Sequence, residues 1–381
     1  MTYLDNAATT FPKPDKVYQV MDKVNREMAV NAGRGSYKLA REATKLIDDT
    51  KKKLLHLVHA DEGIEVIFSP SITIALNQVI YGLEWKKGDV VYVSPYEHNA
   101  VARPLYQISK KYQIHIKELP INEKNLEIDI EKMKYEFSKE RPKAIFCTHV
   151  SNVTGYILPI KEIFEEGKRY DSINVLDSAQ SLGLIDIDVT KLAIDIIAFA
   201  GHKTLYGPFG IGGFMNISNI NISDVLAGGT GSDSLNLDMP QRGSLKYEMA
   251  SSNIVAIAGL NAAIDELDIG SIYEHERKLT EYLISELKKI PDITLYVPQT
   301  PDRHVGIISF NLAGYSAEEL GLILDEDFDI AVRTGYHCAP FIHKYLKDEK
   351  KLGTVRIGLG RFTNNKDINE LLVAISAVLI E

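Results

Sequence analysis

Between residues 65 and 216, short β-branched and apolar runs alternate with longer stretches of helical spacing, and this alternation limits the fold more than any other feature. The runs are residues 65–69, 90–94, 114–119, 144–149, 173–177, 196–200 and 212–216, with helical patterns at 71–82, 98–111 and 159–170. The pattern predicts an α/β fold with a large, mostly parallel, seven-stranded sheet and helices on both faces. Ligands of such sheets bind outside the carboxyl ends of the strands. Polar residues that end or follow these runs are therefore the candidate functional ones.

After Asn253 the pattern changes. Two long helices at 254–267 and 272–289 precede strands at 294–297, 306–311, 330–333 and 353–357, with helices at 317–325 and 366–380. This reads as a smaller C-terminal α/β domain. At about 150 residues per domain, a chain of 381 has room for two. The expected organisation is an N-terminal segment (1–15) packing with the small domain, a large domain (16–253) and the small domain (254–381). The Gly-, Ser- and Asp-rich stretch 226–244 is a long loop between them, and loops of this length inside a compact chain are usually functional or interfacial.

Charge and cysteine content narrow the function classes. Asp plus Glu number 52 against 43 Lys plus Arg, a net charge of −9, so a phosphate backbone is repelled on average and nucleic acid is not the expected partner. Cys147 and Cys338 are the only cysteines, too few for a disulfide framework or a zinc cluster, and a reducing cytoplasm suits them. The start MTYLDNAATT lacks an export signal's basic and apolar regions, and the apolar run 371–380 is too short to span a bilayer. The expectation is a cytoplasmic protein with no membrane partner.

Five segments carry candidate groups at or beyond strand ends. Lys203 follows the apolar run 196–200 in a Gly-bounded turn, where burial would lower its pKa and free the amine for Schiff-base formation; the alternative is an ordinary surface lysine. Asp177 ends the run 173–177, where its carboxylate needs a cation, such as a pyridinium nitrogen, or else caps a helix. His98 follows the run 90–94; it could stack on a planar ring and move protons, or serve only the structure. Ser71 and Thr73 lie where a strand enters a helix, an arrangement that suits either an anion or plain N-capping. Cys338 is expected in an exposed loop, with Arg333 and His337 favouring its thiolate, whereas Cys147 lies within an apolar run and reads as core. No His, Cys, Asp or Glu spacing suggests a metal site.

Together these segments resemble the class V aminotransferase family of fold type I pyridoxal-phosphate enzymes and, within it, the cysteine desulfurases with a short cysteine loop. The resemblance spans the chain: YLDNAATT at 3–10, EHN at 97–99, SNVTG at 151–155, LDSAQ at 176–180, GHK at 201–203, GGTG at 228–231 and RTGYHC at 333–338. It implies pyridoxal 5'-phosphate as cofactor, with Lys203 as its Schiff-base lysine, Asp177 as pyridinium partner, Gln180 bonding the ring oxygen and His98 stacked on the ring. It likewise implies Thr73, His202 and Ser251 as phosphate contacts, Asn152 and Arg356 as holders of the substrate carboxylate, and Cys338 as the nucleophile that takes sulfur from L-cysteine as a persulfide. A homodimer with shared sites and a sulfur-acceptor protein are further implications. L-selenocysteine is an alternative substrate, and a β-lyase, an aminotransferase or a non-enzymatic sulfur-binding scaffold is an alternative function. Departures from the family pattern are Ala200 in place of a hydroxyl residue, Ile74 and Tyr37 in place of Glu and His, and Ser251 as the one hydroxyl kept from a Ser-Gly-Thr run.

Overall fold

The computed structural model describes all residues except Arg34, Ser36, Ser232, Asp233, Ile380 and Glu381. The strands in chain order are β1 (Thr2–Tyr3), β2 (Glu65–Ser69), β3 (Val90–Val93), β4 (His115–Glu118), β5 (Ile121–Asn122), β6 (Glu127–Ile128), β7 (Ala144–Thr148) and β8 (Ile173–Asp177). They continue as β9 (Ile196–Ala200), β10 (Gly212–Asn216), β11 (Ile293–Tyr296), β12 (Ile307–Leu312), β13 (Ile330–Ala331), β14 (Arg333–Gly335) and β15 (Thr354–Gly358). The helices are α1 (Asp15–Glu27), α2 (Lys38–His56), α3 (Ile72–Gly82), α4 (Asn99–Tyr112), α5 (Ile130–Lys139), α6 (Ile160–Lys168), α7 (Ile254–Asp265), α8 (Ile269–Leu287), α9 (Ala317–Glu326), α10 (His343–Leu346) and α11 (Asn365–Val378).

The large sheet has seven strands in the order β2-β10-β9-β8-β7-β3-β4, and only β10 runs against the rest. Strand side chains alternate between faces, and the two cores divide accordingly. Val66, Phe68, Ile145, Cys147, Leu176, Ile197 and Phe199 join one apolar cluster, while Ile67, Val91, Phe146, Val175, Ile196 and Ala198 join the other. Burial on both faces explains why these strands read as continuous apolar runs. Five of the parallel strands (β2, β3, β7, β8 and β9) send their carboxyl ends toward the candidate residues.

The small sheet is antiparallel, in the order β11-β12-β15-β14. Leu283, Leu320, Leu324, Leu371 and Ile375 of its helices cover it together with Ile308, Phe310 and Ile357. The run expected as one strand at 330–333 is divided: Ile330–Ala331 pairs in parallel with Thr2–Tyr3, and Arg333–Gly335 joins β15. The N-terminal segment touches both parts of the molecule. Leu4 enters the small-domain core, and Thr9 and Thr10 bond the carbonyl of His202 through their hydroxyls at 3.0 and 3.2 Å. Helix α7, which begins at the expected domain division, packs Ala256, Ile257 and Leu260 into a large-sheet core. Ile380, the expected end of the last helix, lies outside the described residues.

Candidate active site

Each parallel strand delivers its polar residue to one edge. Asp177 is the last residue of β8 and is buried; its Oδ1 accepts from the N–H of Ala179 at 2.9 Å. Burial raises its pKa, opposed by that N–H and by the charge of Lys203. Lys203 lies three residues beyond β9, and burial pushes its amine down to about 8, with Asp177 pulling the other way and Arg356 and Arg333 adding to the depression. The lysine is therefore close to the balance between charged and nucleophilic forms at neutral pH.

His98 caps α4, accepting at Nδ1 from the N–H of Ala100 at 3.0 Å. The proton of the neutral ring is thereby placed on Nε2. Burial, followed by Lys203, Arg333, Arg356 and Arg103, pushes its pKa down to about 3, so the ring is neutral across the physiological range. Behind it, Glu97 is 0% exposed, and its Oε1 accepts from Ser94 Oγ at 2.5 Å and from the Thr148 N–H at 2.6 Å. Its other oxygen has no hydrogen-bond partner. Burial and the neighbouring Asp177 raise its carboxyl to about 8, which keeps it protonated beside Asp177 at neutral pH. Glu97 occurs in the sequence motif, but nothing in a sequence shows that two acids will be buried side by side.

His202 is stacked on Phe209 at 4.7 Å, and its Nδ1 is buried without a partner. Burial, with Lys203 and Lys13, lowers its pKa to about 4. Lys13 itself is buried and donates to Thr10 Oγ1 and to the His202 carbonyl, both at 2.7 Å. Burial pushes its amine down to about 7. Sequence reasoning missed this second unusual lysine. Gln180 donates to the Ala7 carbonyl at 2.7 Å, which ties the N-terminal segment to the end of β8.

Thr73 and Ser251 are exposed. Thr73 lies in the first turn of α3, whose cap is Ser71, and Ser251 lines a pocket of about 350 Å³ with Ser69, Pro70 and Ile74. Both belong to the neighbourhood of the α3 N-terminus.

Arg356 is 0% exposed on β15, and its guanidinium is already engaged. Nη2 pairs with Asp5 Oδ1 at 2.7 Å, Nη1 donates to the Asn152 carbonyl at 3.0 Å, and Nε is left without a partner. The amide of Asn152 faces the cysteine loop, donating to the His337 carbonyl at 2.7 Å. The turn that holds Asn152 is pressed on the small sheet: Ser309 Oγ bonds the Val153 carbonyl at 2.6 Å, and Gly155, at φ +70°, leaves no room for a Cβ, which would lie 2.4 Å from the Ile307 carbonyl.

Cys338 is half-buried rather than fully exposed, and Sγ accepts from Arg333 Nη2 at 3.4 Å. Its carbonyl accepts from the N–H of Asn99, the residue after His98, at 2.7 Å. His337 and Cys338 both adopt left-handed backbone, at φ +47° and +58°, at a cost of about 1–2 kcal/mol each. Such conformations persist only where surrounding contacts fix them. His337 does not supply the charge expected of it, because burial, with Arg356, His343 and Arg333, holds it well below its usual range. Cys147 is fully buried in β7. Among the described residues no group of His, Cys, Asp and Glu could hold a metal ion.

Known proteins are similar to this chain over nearly its whole length. The model of the family "Aminotransferase class-V" matches residues 2–371. A probable cysteine desulfurase of Halalkalibacterium halodurans is 34% identical over 385 residues, covering 97% of this chain and 91% of that protein. A cysteine desulfurase of Pectobacterium atrosepticum is 29% identical over 392 residues, covering 99% and 93%. The apo structure of a cysteine desulfurase from Thermococcus onnurineus superposes with a TM-score of 0.91 at 28% identity, covering 99% of this chain and 94% of that one. With the family model matching residues 2–371 and a relative 34% identical over 97% of the chain, the chain belongs to the class-V aminotransferase family.

Proposed function

We propose that the chain is a pyridoxal-phosphate-dependent cysteine desulfurase that converts L-cysteine to L-alanine and keeps the sulfur as a persulfide on Cys338. The observation that carries this reading is the joining of a half-buried thiol to the Lys203–Asp177–His98 cluster, through the bond from the Asn99 N–H to the Cys338 carbonyl. The residues fit the cofactor: a buried carboxylate for a ring nitrogen, a depressed lysine amine for an aldehyde, and buried donors without partners at His202 Nδ1 and Arg356 Nε.

Pyridoxal phosphate, when bound, supplies an aldehyde carbon and a protonated ring that stores the electrons released at the substrate Cα. Asp177 holds the ring proton, aided by Glu97, which stays neutral beside it. His98 offers its ring face, with Nδ1 fixed by Ala100. Lys203 takes the proton from the substrate Cα, a step for which an amine titrating near 8 is suited. Arg356, oriented by Asp5 and the Asn152 carbonyl, grips the substrate carboxylate. The Cys338 thiolate then attacks the substrate sulfur. The new S–S bond forms as the Cβ–S bond breaks, the electron pair left on Cβ takes a proton to become a methyl group, and the proton held at Lys203 Nζ returns to Cα to complete alanine. A second protein thiol then accepts the sulfur, and a reducing cytoplasm keeps Cys338 free between turnovers.

Cys338→Ala should keep the cofactor absorbance yet release neither alanine nor transferable sulfur, while Cys147→Ala should turn over normally. Alanine production by Cys338→Ala at the wild-type rate, with reductant present, would overturn the reading in favour of a β-lyase or an aminotransferase.

A further inference from the structure

A buried pair behind the nucleophile is not used by the chemistry above. His343, at the start of α10, and Asp348, just beyond it, are 5% and 1% exposed, and His343 Nδ1 lies 2.6 Å from Asp348 Oδ2. The other ring nitrogen, Nε2, lies 3.0 Å from the carbonyl of Tyr336, two residues before Cys338. A carbonyl can only accept, so Nε2 carries a proton. The carboxylate at Nδ1 then fixes the ring's orientation, the same division of labour by which an acid orients a histidine in other sites. The Tyr336 ring packs edge-on against His343 at 4.9 Å, and His337 lies 6.3 Å away. Asp348 is itself held in place, its carbonyl accepting from the N–H groups of Lys351 and Gly353 at 2.9 and 3.3 Å.

The contacts of the cysteine loop give this pair a purpose. Three successive carbonyls each meet a group from a different part of the structure: Tyr336 meets His343 Nε2, His337 meets Asn152 Nδ2, and Cys338 meets the Asn99 N–H, while the Tyr336 carbonyl also accepts from the Ala339 N–H at 3.0 Å, which closes the turn. The last two donors belong to the substrate side of the site. The first approaches from behind and is the only side chain of the three that is anchored by a buried acid. Two consecutive left-handed residues, a conformation unfavourable outside glycine, follow the first of these carbonyls, so the turn's own hydrogen bond is opposed by its backbone and gains from outside support.

We propose that His343, oriented by Asp348, is the positioning residue of the nucleophile: its hydrogen bond to the Tyr336 carbonyl sets the loop that aims Cys338 Sγ at Arg333 and into the active site. The proposal rests on the desulfurase reading for its consequence, but not for its geometry.

The test uses the cofactor-loaded protein and three measurements. Iodoacetamide alkylation of Cys338, mapped by mass spectrometry, reports the freedom of the thiol and needs no substrate. Alanine release gives kcat and KM, and a thermal melt reports folding. His343→Leu alone would strand a buried carboxylate, so the principal variant is His343→Leu with Asp348→Ala, which removes both partners. It should alkylate at least fivefold faster and turn over at least tenfold more slowly, with KM for cysteine within twofold of wild type. Asp348→Asn keeps a hydrogen-bonding partner of the same shape at Nδ1, removes its charge and leaves the Nε2 bond intact, so it should stay within twofold of wild type on both rates.

A double variant that melts lower but keeps the wild-type alkylation rate and kcat would reduce the pair to a structural strut and overturn the proposal. So would Asp348→Asn being as slow as the double variant, because the pair would then act through its charge and not through the Tyr336 bond. If the wild-type protein released no alanine from cysteine, the desulfurase reading would fail while the alkylation comparison still decided the role of His343.

Discussion

Two amines near the cofactor-binding edge titrate far below the ordinary lysine range, Lys203 at about 8 and Lys13 at about 7. Only the free amine attacks an aldehyde. Covalent capture of pyridoxal phosphate by Lys203 should therefore rise roughly tenfold per pH unit below 8 and level off above it. Borohydride trapping across pH 6 to 9, followed by peptide mapping, measures this. Lys203→Ala should trap no label, and label on Lys13 would reverse the assignment. Lys13 donates to the His202 carbonyl and so points away from the role on geometry, even though its amine is the more depressed. The arginines divide similarly. Arg356 is fully buried, whereas Arg361 lies over the rings of Tyr206 and Phe362 and donates to the Glu266 carbonyl. Losing a charge-assisted contact costs on the order of 1.5–3 kcal/mol, so Arg356→Ala should raise KM for cysteine roughly 10- to 150-fold with cofactor still bound. A silent Arg356→Ala beside a damaging Arg361→Ala would show the carboxylate to be held elsewhere.

Helix α8 brings an acid into contact with the lysine turn. Glu276 is buried beside Tyr206, three residues beyond Lys203, and burial raises its carboxyl to about 8, moderated by the Tyr206 hydroxyl. The Tyr206 hydroxyl in turn accepts from the Arg361 N–H at 2.7 Å. In the unfolded chain Glu276 ionises near 4.5, while the folded protein keeps its proton until about 8. Over that window the folded state binds more protons, so stability falls as pH rises from about 4.5 to about 8 and the loss is complete above it. Glu276→Gln removes this term. The variant should gain stability over wild type, on the order of a few kcal/mol, between pH 5 and pH 8.5. Thermal melts at the two pH values measure it, and an equal difference at both would show that Glu276 does not carry the shift.

For the whole molecule the prediction concerns self-association. Leu235 and Leu237, in the long loop between the two sheets, are 98% and 99% exposed. Exposed large apolar side chains this close together are unfavourable in water unless covered. Gly228–Gly231 and Ser251 lie in the same neighbourhood, since Ala250 bonds the Gly229 carbonyl at 2.9 Å. A homodimer covering this loop is the expected species. Replacing Leu235 and Leu237 with Asp should shift the light-scattering mass toward one 42.6 kDa chain and weaken phosphate retention. A wild-type protein fully active as a stable monomer would remove the basis for shared sites. Among the described residues no helix is long and apolar enough to cross a membrane.

The seven-stranded sheet was legible because its strands are buried on both faces, so each appears as an unbroken apolar run with a polar residue at its end. Asp177, His98 and Lys203 could be read in the same way, since topology alone brings strand ends together. Helices α1, α2 and α5 were not read: their polar outer faces dilute the apolar signal, and no reactive residue marked them. The division of residues 330–333 between two ladders was also hidden, because pairing depends on which distant strand lies alongside. What the sequence determined by itself was the layer architecture and the placement of polar candidates at strand ends, both set by local periodicity and side-chain chemistry. What only the tertiary structure decided was the state of those groups. Neutral Glu97, the clasp of Arg356 by Asp5, and the hold of His343 on the Cys338 loop all arise from residues far apart in the chain or from burial, and the free energy of a charge depends on its surroundings rather than on its neighbours in sequence.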